Sequence, residues 1–348
     1  MRNRFTWLSG GVIIATMRDV AQRAGVSVST VSHVINNSRP VSDAYRQRVL
    51  QAMTELGYRP NALARSLRRQ ETSTLGLIVP DSANPFFAEI ARAIEDASFA
   101  QNYSVFLCNS EGDLDKQRAY TDVLIEHRVA GIFFVAAGVS TELVNDLRRR
   151  RVPLVLVDRE VPGSAVDCVL TDHAHGGRLA VEHLIELGHR RIGCISGDSE
   201  LSPSADRLTG YRQALQNHDL PWDPELVQKG DFQFESGYRA AQALLKLADP
   251  PTAVFACNDL MAVGCMRAAA ERGLTIPQTL SVVGFDDIRL ASFTNPPLTT
   301  VAQPKVDIGT WATKLLLERI QDLDAPPQIQ RLDNQLRIRT TTAPPPSK

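Results

Sequence analysis

The sequence predicts an α/β protein in which a small all-α head precedes two lobes of doubly wound parallel sheet. Three observations predict it. Residues 17–56 place apolar side chains at helical spacing in three short runs. From Leu75 to Phe285, apolar runs alternate with amphipathic stretches in two successive series, the pattern of repeated strand–helix–strand units. Charge divides the chain at the same place. Residues 17–71 hold nine arginines against four carboxylates, residues 1–16 add Arg2 and Arg4, and an overall net charge of −1 leaves the remainder acidic. With 348 residues, 43% of them apolar, the chain can form two or three compact units.

The head reads in order. Met17–Gly25 is a first helix with Val20, Ala21 and Ala24 on one face, ended by Gly25 in the left-handed conformation. Ser27 caps a second helix that runs to Asn36 and turns Val31, Val34 and Ile35 inward. Ser42 caps a third over 43–56, with Tyr45, Val49, Met53 and Leu56 at helical spacing and Gly57 at its end. Two short helices joined by such a turn form a helix-turn-helix, whose second helix enters the major groove of DNA. Its early polar face makes Val28, Ser29, Thr30 and His33 the candidate base readers. Packing alone would also explain a three-helix unit, but the excess of arginine favours a nucleic-acid partner.

The segment that follows, Asn61 to Leu67, is rich in helix formers. It is too short to hold a helix alone in water, and it should fold only when docked. Residues 1–16 read as a disordered extension. Their apolar stretch is short and broken by Gly10 and Gly11, which argues against a signal peptide.

In the body, strands are expected at 75–80, 104–107, 131–135, 153–157, 191–196, 226–232, 253–257 and 281–285, with helices between them. Ligands of open α/β sheets bind beyond the carboxyl ends of the strands. The residues assigned to those ends are Asn84-Pro85-Phe86-Phe87, Asp158-Arg159, Arg207, Asp231-Phe232, Asn258-Asp259, Asp286-Asp287 and Gln303. Carboxylates, amides and guanidinium groups suit hydroxyls, and aromatic faces suit the C–H surface of a sugar ring. Each residue alone could be a helix cap or an ion-pair member, whereas the set is specific.

Other chemistries find no support. The five cysteines are scattered and form no CxxC, which argues for a reducing, cytoplasmic setting without disulfides or zinc. His173, His175, His183 and His189 have no compact metal spacing. No phosphate-binding glycine loop, no nucleophile–base arrangement and no membrane-spanning apolar run is present. Neither an enzyme nor a cofactor is expected.

From Ala15 to Asn36 the chain contains Met17-Arg18-Asp19-Val20-Ala21, Ala24-Gly25-Val26-Ser27 and Ser29-Thr30-Val31-Ser32. It continues with Leu56-Gly57-Tyr58, Pro60-Asn61-Ala62-Leu63-Ala64-Arg65-Ser66-Leu67. This long signature resembles that of the LacI/GalR family, and the likeness extends to about Thr342. It is nearest in look to the ribose-repressor branch, through Gly230-Asp231-Phe232 and Pro296-Pro297-Leu298-Thr299-Thr300.

The resemblance implies a helix-turn-helix joined to a two-lobed, periplasmic-binding-protein-like core that binds operator DNA as a homodimer. It also implies a hinge helix in the minor groove, with Leu67 as an apolar wedge flanked by Arg65 and Arg68. The body is similar to the periplasmic ribose-binding proteins. By that likeness Phe86, Phe87, Asp158, Arg159, Arg207, Phe232, Asn258, Asp286 and Gln303 enclose a pentose. The purine-repressor branch is similar over the whole length, but Leu201 stands where those proteins use an arginine to hold the base.

The expected division is an extension over 1–16, a DNA-binding head over 17–60, a hinge over 61–71 and a core from 72. One lobe is assigned 72–171 with 301–328, the other 172–300 with 329–342. The tail 343–348 has no heptad, which points to dimers and not to a tetramer-forming bundle. The expected protein is a repressor controlled by a small sugar. A transporter's solute-binding component would lack the basic head, and a sugar kinase would need the missing phosphate loop.

Overall fold

The computed structural model describes residues 15–36, 38–58, 72–135, 139–161, 163–197 and 202–346. Chain contacts divide into one unit that ends at Thr72 and another that begins at Ser73.

The first unit contains α1 (Met17–Ala24), α2 (Val28–Asn36) and α3 (Asp43–Glu55). Thr16 and Asp19 form a reciprocal capping box on α1, and Gly25 closes it at φ +62°. Thr30 N–H donates to Ser27 Oγ at 3.1 Å, so Ser27 caps α2 as expected. Ser42 holds the N-cap position of α3 without a capping hydrogen bond. Val20, Ala21, Ala24, Val31, Val34, Val49 and Ala52 fill the core. Of the α3 residues expected at helical spacing, Val49 is buried and Met53 packs against this core, whereas Tyr45 and Leu56 are exposed and Ala52 is buried in addition.

The second unit holds two six-stranded sheets. The first is built from β1 (Thr74–Val79), α4 (Pro85–Ala100), β2 (Ser104–Asn109), α5 (Leu114–Glu126), β3 (Gly131–Val135), α6 (Thr141–Arg149), β4 (Leu154–Val157) and β5 (Asp167–Thr171). Both of its faces are covered. Leu75, Leu77, Val79, Phe133, Val155 and Val157 pack in one layer under α4 and the helix Lys305–Gln321, while Ile78, Ile132, Phe134, Leu154 and Leu156 pack against α5 and α6. Alternate residues therefore point to opposite apolar layers, which is why these strands read as continuous apolar runs.

The chain then crosses into the second sheet. This contains α7 (His173–Glu186), β6 (Ile192–Ser196), α8 (Ser202–Asn217), β7 (Val227–Lys229), α9 (Phe234–Leu244), β8 (Ala253–Ala256), α10 (Asp259–Glu271), β9 (Ser281–Asp286) and β10 (Thr299–Ala302). It returns through α11 (Lys305–Gln321) to β11 (Ile329–Leu332) and crosses again to β12 (Gln335–Arg337). The strand orders are β11-β5-β4-β3-β1-β2 and β12-β10-β9-β8-β6-β7. All pairs are parallel except β10 with β12.

These pairings correct the lobe boundaries. Ile329–Leu332 pairs with Cys168–Thr171 and belongs to the first lobe, not the second. Val301 and Ala302 lie beside Phe285 and Asp286 and belong to the second lobe, not the first. The crossings therefore fall at 303–304 and 333–334. Among the described residues, no helix is long and apolar enough to cross a membrane.

Candidate functional site

In the first unit, the exposed start of α2 carries a hydroxyl cluster. Ser27 Oγ lies 2.7 Å from Ser29 Oγ and 2.8 Å from Thr30 Oγ1, with Val28 exposed beside them. His33 follows one turn later, its Nδ1 2.9 Å from Ser38 Oγ. Val28, Ser29, Thr30 and His33 thus sit on one short helix, as a groove-reading surface requires. Arg65, Leu67 and Arg68 lie outside the described residues.

In the second unit, a cavity of about 470 Å³ opens between the carboxyl ends of the two sheets. The first lobe contributes Phe86, Phe87, Asp158 and Arg159, and the second contributes Arg207, Phe232, Asn258 and Asp286. Gln303 does not line it. It is buried behind Asp286, where its Nε2 donates to Asp286 Oδ1 at 2.9 Å and its Oε1 accepts from Thr171 Oγ1 at 2.8 Å. Arg207 also departs from expectation, because it stands within α8 and not at a strand end.

Local structure fixes each group. Asn84 caps α4 by accepting from Phe86 N–H at 3.0 Å, with Pro85 in the first turn, and so aims Phe86 and Phe87 from the end of β1. The two rings meet edge-on at 5.2 Å. Asn258 caps α10 through Met261 N–H at 2.9 Å while its Nδ2 donates to Phe232 O at 2.9 Å. Asp158, Phe232 and Asp286 take φ values of +67°, +67° and +103°. Left-handed backbone at three non-glycine residues stores strain at a clamp.

Arg207 is held from several sides. Its guanidinium lies 3.8 Å from the Phe285 ring centre, donates to Cys257 O and approaches Asp286 Oδ1 at 3.4 Å. Burial pushes the Asp286 carboxyl up to about 6, opposed by Arg207, the Gln303 hydrogen bond and Lys305. Asp259, behind it, is driven well above the usual carboxylate range by burial and by the charge of Asp286. Two further contacts join the lobes. Gln233 Nε2 donates to Asp81 Oδ2 at 3.3 Å, and Arg289 N–H donates to Glu89 Oε1 at 3.0 Å.

Sequence reasoning missed Asp81, Glu111, Pro203 and Gln233 in the lining, and His173 just behind it. His173 follows β5 directly, so it obeys the strand-end rule, but that strand had not been recognised. The other histidines have structural partners: His183 meets Thr342 and His189 meets Ala343. Among the described residues no group of side chains could hold a metal ion. A larger groove, of about 690 Å³, lies at the opposite ends of β4 and β5. Its Arg319 and Arg151 are already paired with Asp167 and Asp324, and it gathers no comparable set of hydroxyl-binding groups.

The fold and cleft define a ligand-responsive DNA-binding regulator, a helix-turn-helix attached to a two-lobed binding core. Comparison with known proteins supports that class. Residues 16–61 match the model of bacterial regulatory proteins of the lacI family, and residues 181–342 match the periplasmic binding protein-like domain. The HTH-type transcriptional repressor PurR of Aliivibrio salmonicida is 40% identical over 310 residues, 89% of this chain and 93% of its own. The Lac repressor dimer bound to operator and the anti-inducer ONPF superposes with a TM-score of 0.86 at 30% identity, covering 95% of this chain and 99% of that one. A LacI family regulator from Enterococcus faecium with bound ribose gives 0.72 at 34% identity, covering 78% and 99%. The chain belongs to the LacI family of DNA-binding transcriptional repressors.

Proposed function

We propose that this repressor acts in the cytoplasm, binds operator DNA as a homodimer and is controlled by a pentose, ribose first. The cleft carries the reading. Phe86, Phe87 and Phe232 offer ring faces, while Asp158, Arg159, Arg207, Asn258 and Asp286 offer hydroxyl partners from both lobes. Gln303 supports Asp286 from behind. Val28, Ser29, Thr30 and His33 read bases, and Leu67, with Arg65 and Arg68, enters the minor groove. The ribose-bound relative and the dimeric Lac repressor support these assignments by likeness.

The PurR relatives favour a second reading, a purine effector. Leu201, which lies outside the described residues, stands in the sequence where purine-repressor proteins use an arginine to hold the base, and by that likeness counts against it. Calorimetry of the full chain against ribose, other pentoses, hexoses, hypoxanthine and guanine separates the two. Ribose should give the tightest binding, and a purine that binds more tightly than every sugar would overturn the assignment.

A further inference from the structure

One buried side chain at the cleft is left without a task by the pentose reading. His173 opens α7, and its side chain is 5% exposed. Its Nδ1 lies 3.4 Å from both Nε and a terminal nitrogen of Arg207. Its Nε2 lies 2.9 Å from Asp158 Oδ1. That approach is too poorly aligned to be a hydrogen bond, and both atoms are buried without any other hydrogen-bond partner. Asp158 directly follows β4 in the first lobe, whereas Arg207 stands on α8 in the second. One imidazole therefore sits between a ligand-facing carboxylate of one lobe and a ligand-facing guanidinium of the other.

The chemistry fixes the roles. A guanidinium only donates, so Nδ1 must accept. A neutral ring that accepts at Nδ1 carries its proton on Nε2, on the side of Asp158. The donor and acceptor are thus within reach but misaligned, and an unmet buried pair is unfavourable. A rotation of one lobe against the other changes that angle without having to change the distance.

Resting on the sugar reading, we propose that His173 is the positioning residue that joins the two halves of the effector site. It holds Arg207 through Nδ1. Its Nε2–H bonds Asp158 when the lobes close on the sugar. Occupancy of the cleft is thereby tied to lobe closure through a residue that need not touch the ligand.

Two variants separate this role from mere packing. In His173→Gln, the amide nitrogen reaches the place of Nε2 and keeps a donor for Asp158. In His173→Asn, the amide reaches only the place of Nδ1. Calorimetry of the full chain with ribose should find the Gln variant within about threefold of the parent and the Asn variant weaker by roughly tenfold or more. Nitrogen-15 spectra of the ribose-bound parent should show the Nε2–H tautomer, a reading that does not depend on either variant folding. Gln and Asn variants of equal affinity, or a Nδ1–H tautomer in the bound parent, overturn the proposal alone. A parent that gives no heat with ribose overturns the sugar reading, and the proposal with it.

Discussion

Asp286 must accept hydrogen bonds in a place that resists its charge. Burial raises its carboxyl to about 6, and only Arg207, Gln303 and Lys305 hold it that low. Hydroxyls of a sugar bind the ionised form best, so binding should release the proton that the empty site holds below that value. Ribose affinity should therefore be flat from pH 8 to 7 and fall below pH 6, by roughly tenfold at pH 5. Calorimetry across that range checks it, and affinity unchanged at pH 5 would remove the ionised acceptor from the site. Asp286→Ala removes the acceptor outright and leaves Arg207 uncompensated, so it should cost about 1–3 kcal/mol or more of ribose affinity. Most side chains of the cleft were legible because carboxylates, amides and phenylalanines recur where strands end. Gln303 was named for the site without the strand before it being expected, and its place behind Asp286 was not legible, because sequence does not order residues by depth. His173 was weighed only as a metal ligand, because spacing among histidines says nothing of what faces them across a cleft.

The elements show how small residues place large ones. Gly177 on α7 meets α8 so closely that an added Cβ would lie 2.3 Å from the carbonyl oxygen of Arg207. Gly177→Ala should push α8 away, destabilise the core by roughly 1–3 kcal/mol and weaken ribose binding through Arg207. A melting curve and a titration of the same sample read both effects. In the first unit, Thr16→Ala breaks the capping box of α1 and should cost about 0.5–1 kcal/mol of that unit's stability, measurable by thermal denaturation. Strands with both faces buried announce themselves, as Leu75-Gly76-Leu77-Ile78-Val79 does. Asp167–Thr171, Thr299–Ala302 and Ile329–Leu332 did not, because polar residues interrupt their apolar runs. The last two lie next to the lobe crossings, so overlooking them moved the lobe boundaries. Pairing across a sheet decided those boundaries, and pairing is not written in any local pattern.

For the whole molecule, an effector clasped from both lobes favours one lobe arrangement over the other. It can control DNA only if the two arrangements differ in operator affinity, and any such coupling is reciprocal. A coupling of ~1–3 kcal/mol corresponds to a change of roughly 5–150-fold, with release the expected sign. The direct test starts from an operator selected out of random DNA by the full chain. Operator affinity is measured with and without saturating ribose, and ribose affinity with and without saturating operator. Ribose should weaken operator binding, and operator should weaken ribose binding by the same factor. Ribose that binds while operator affinity stays unchanged, or a purine that alone moves it, would contradict control of this repressor by a sugar.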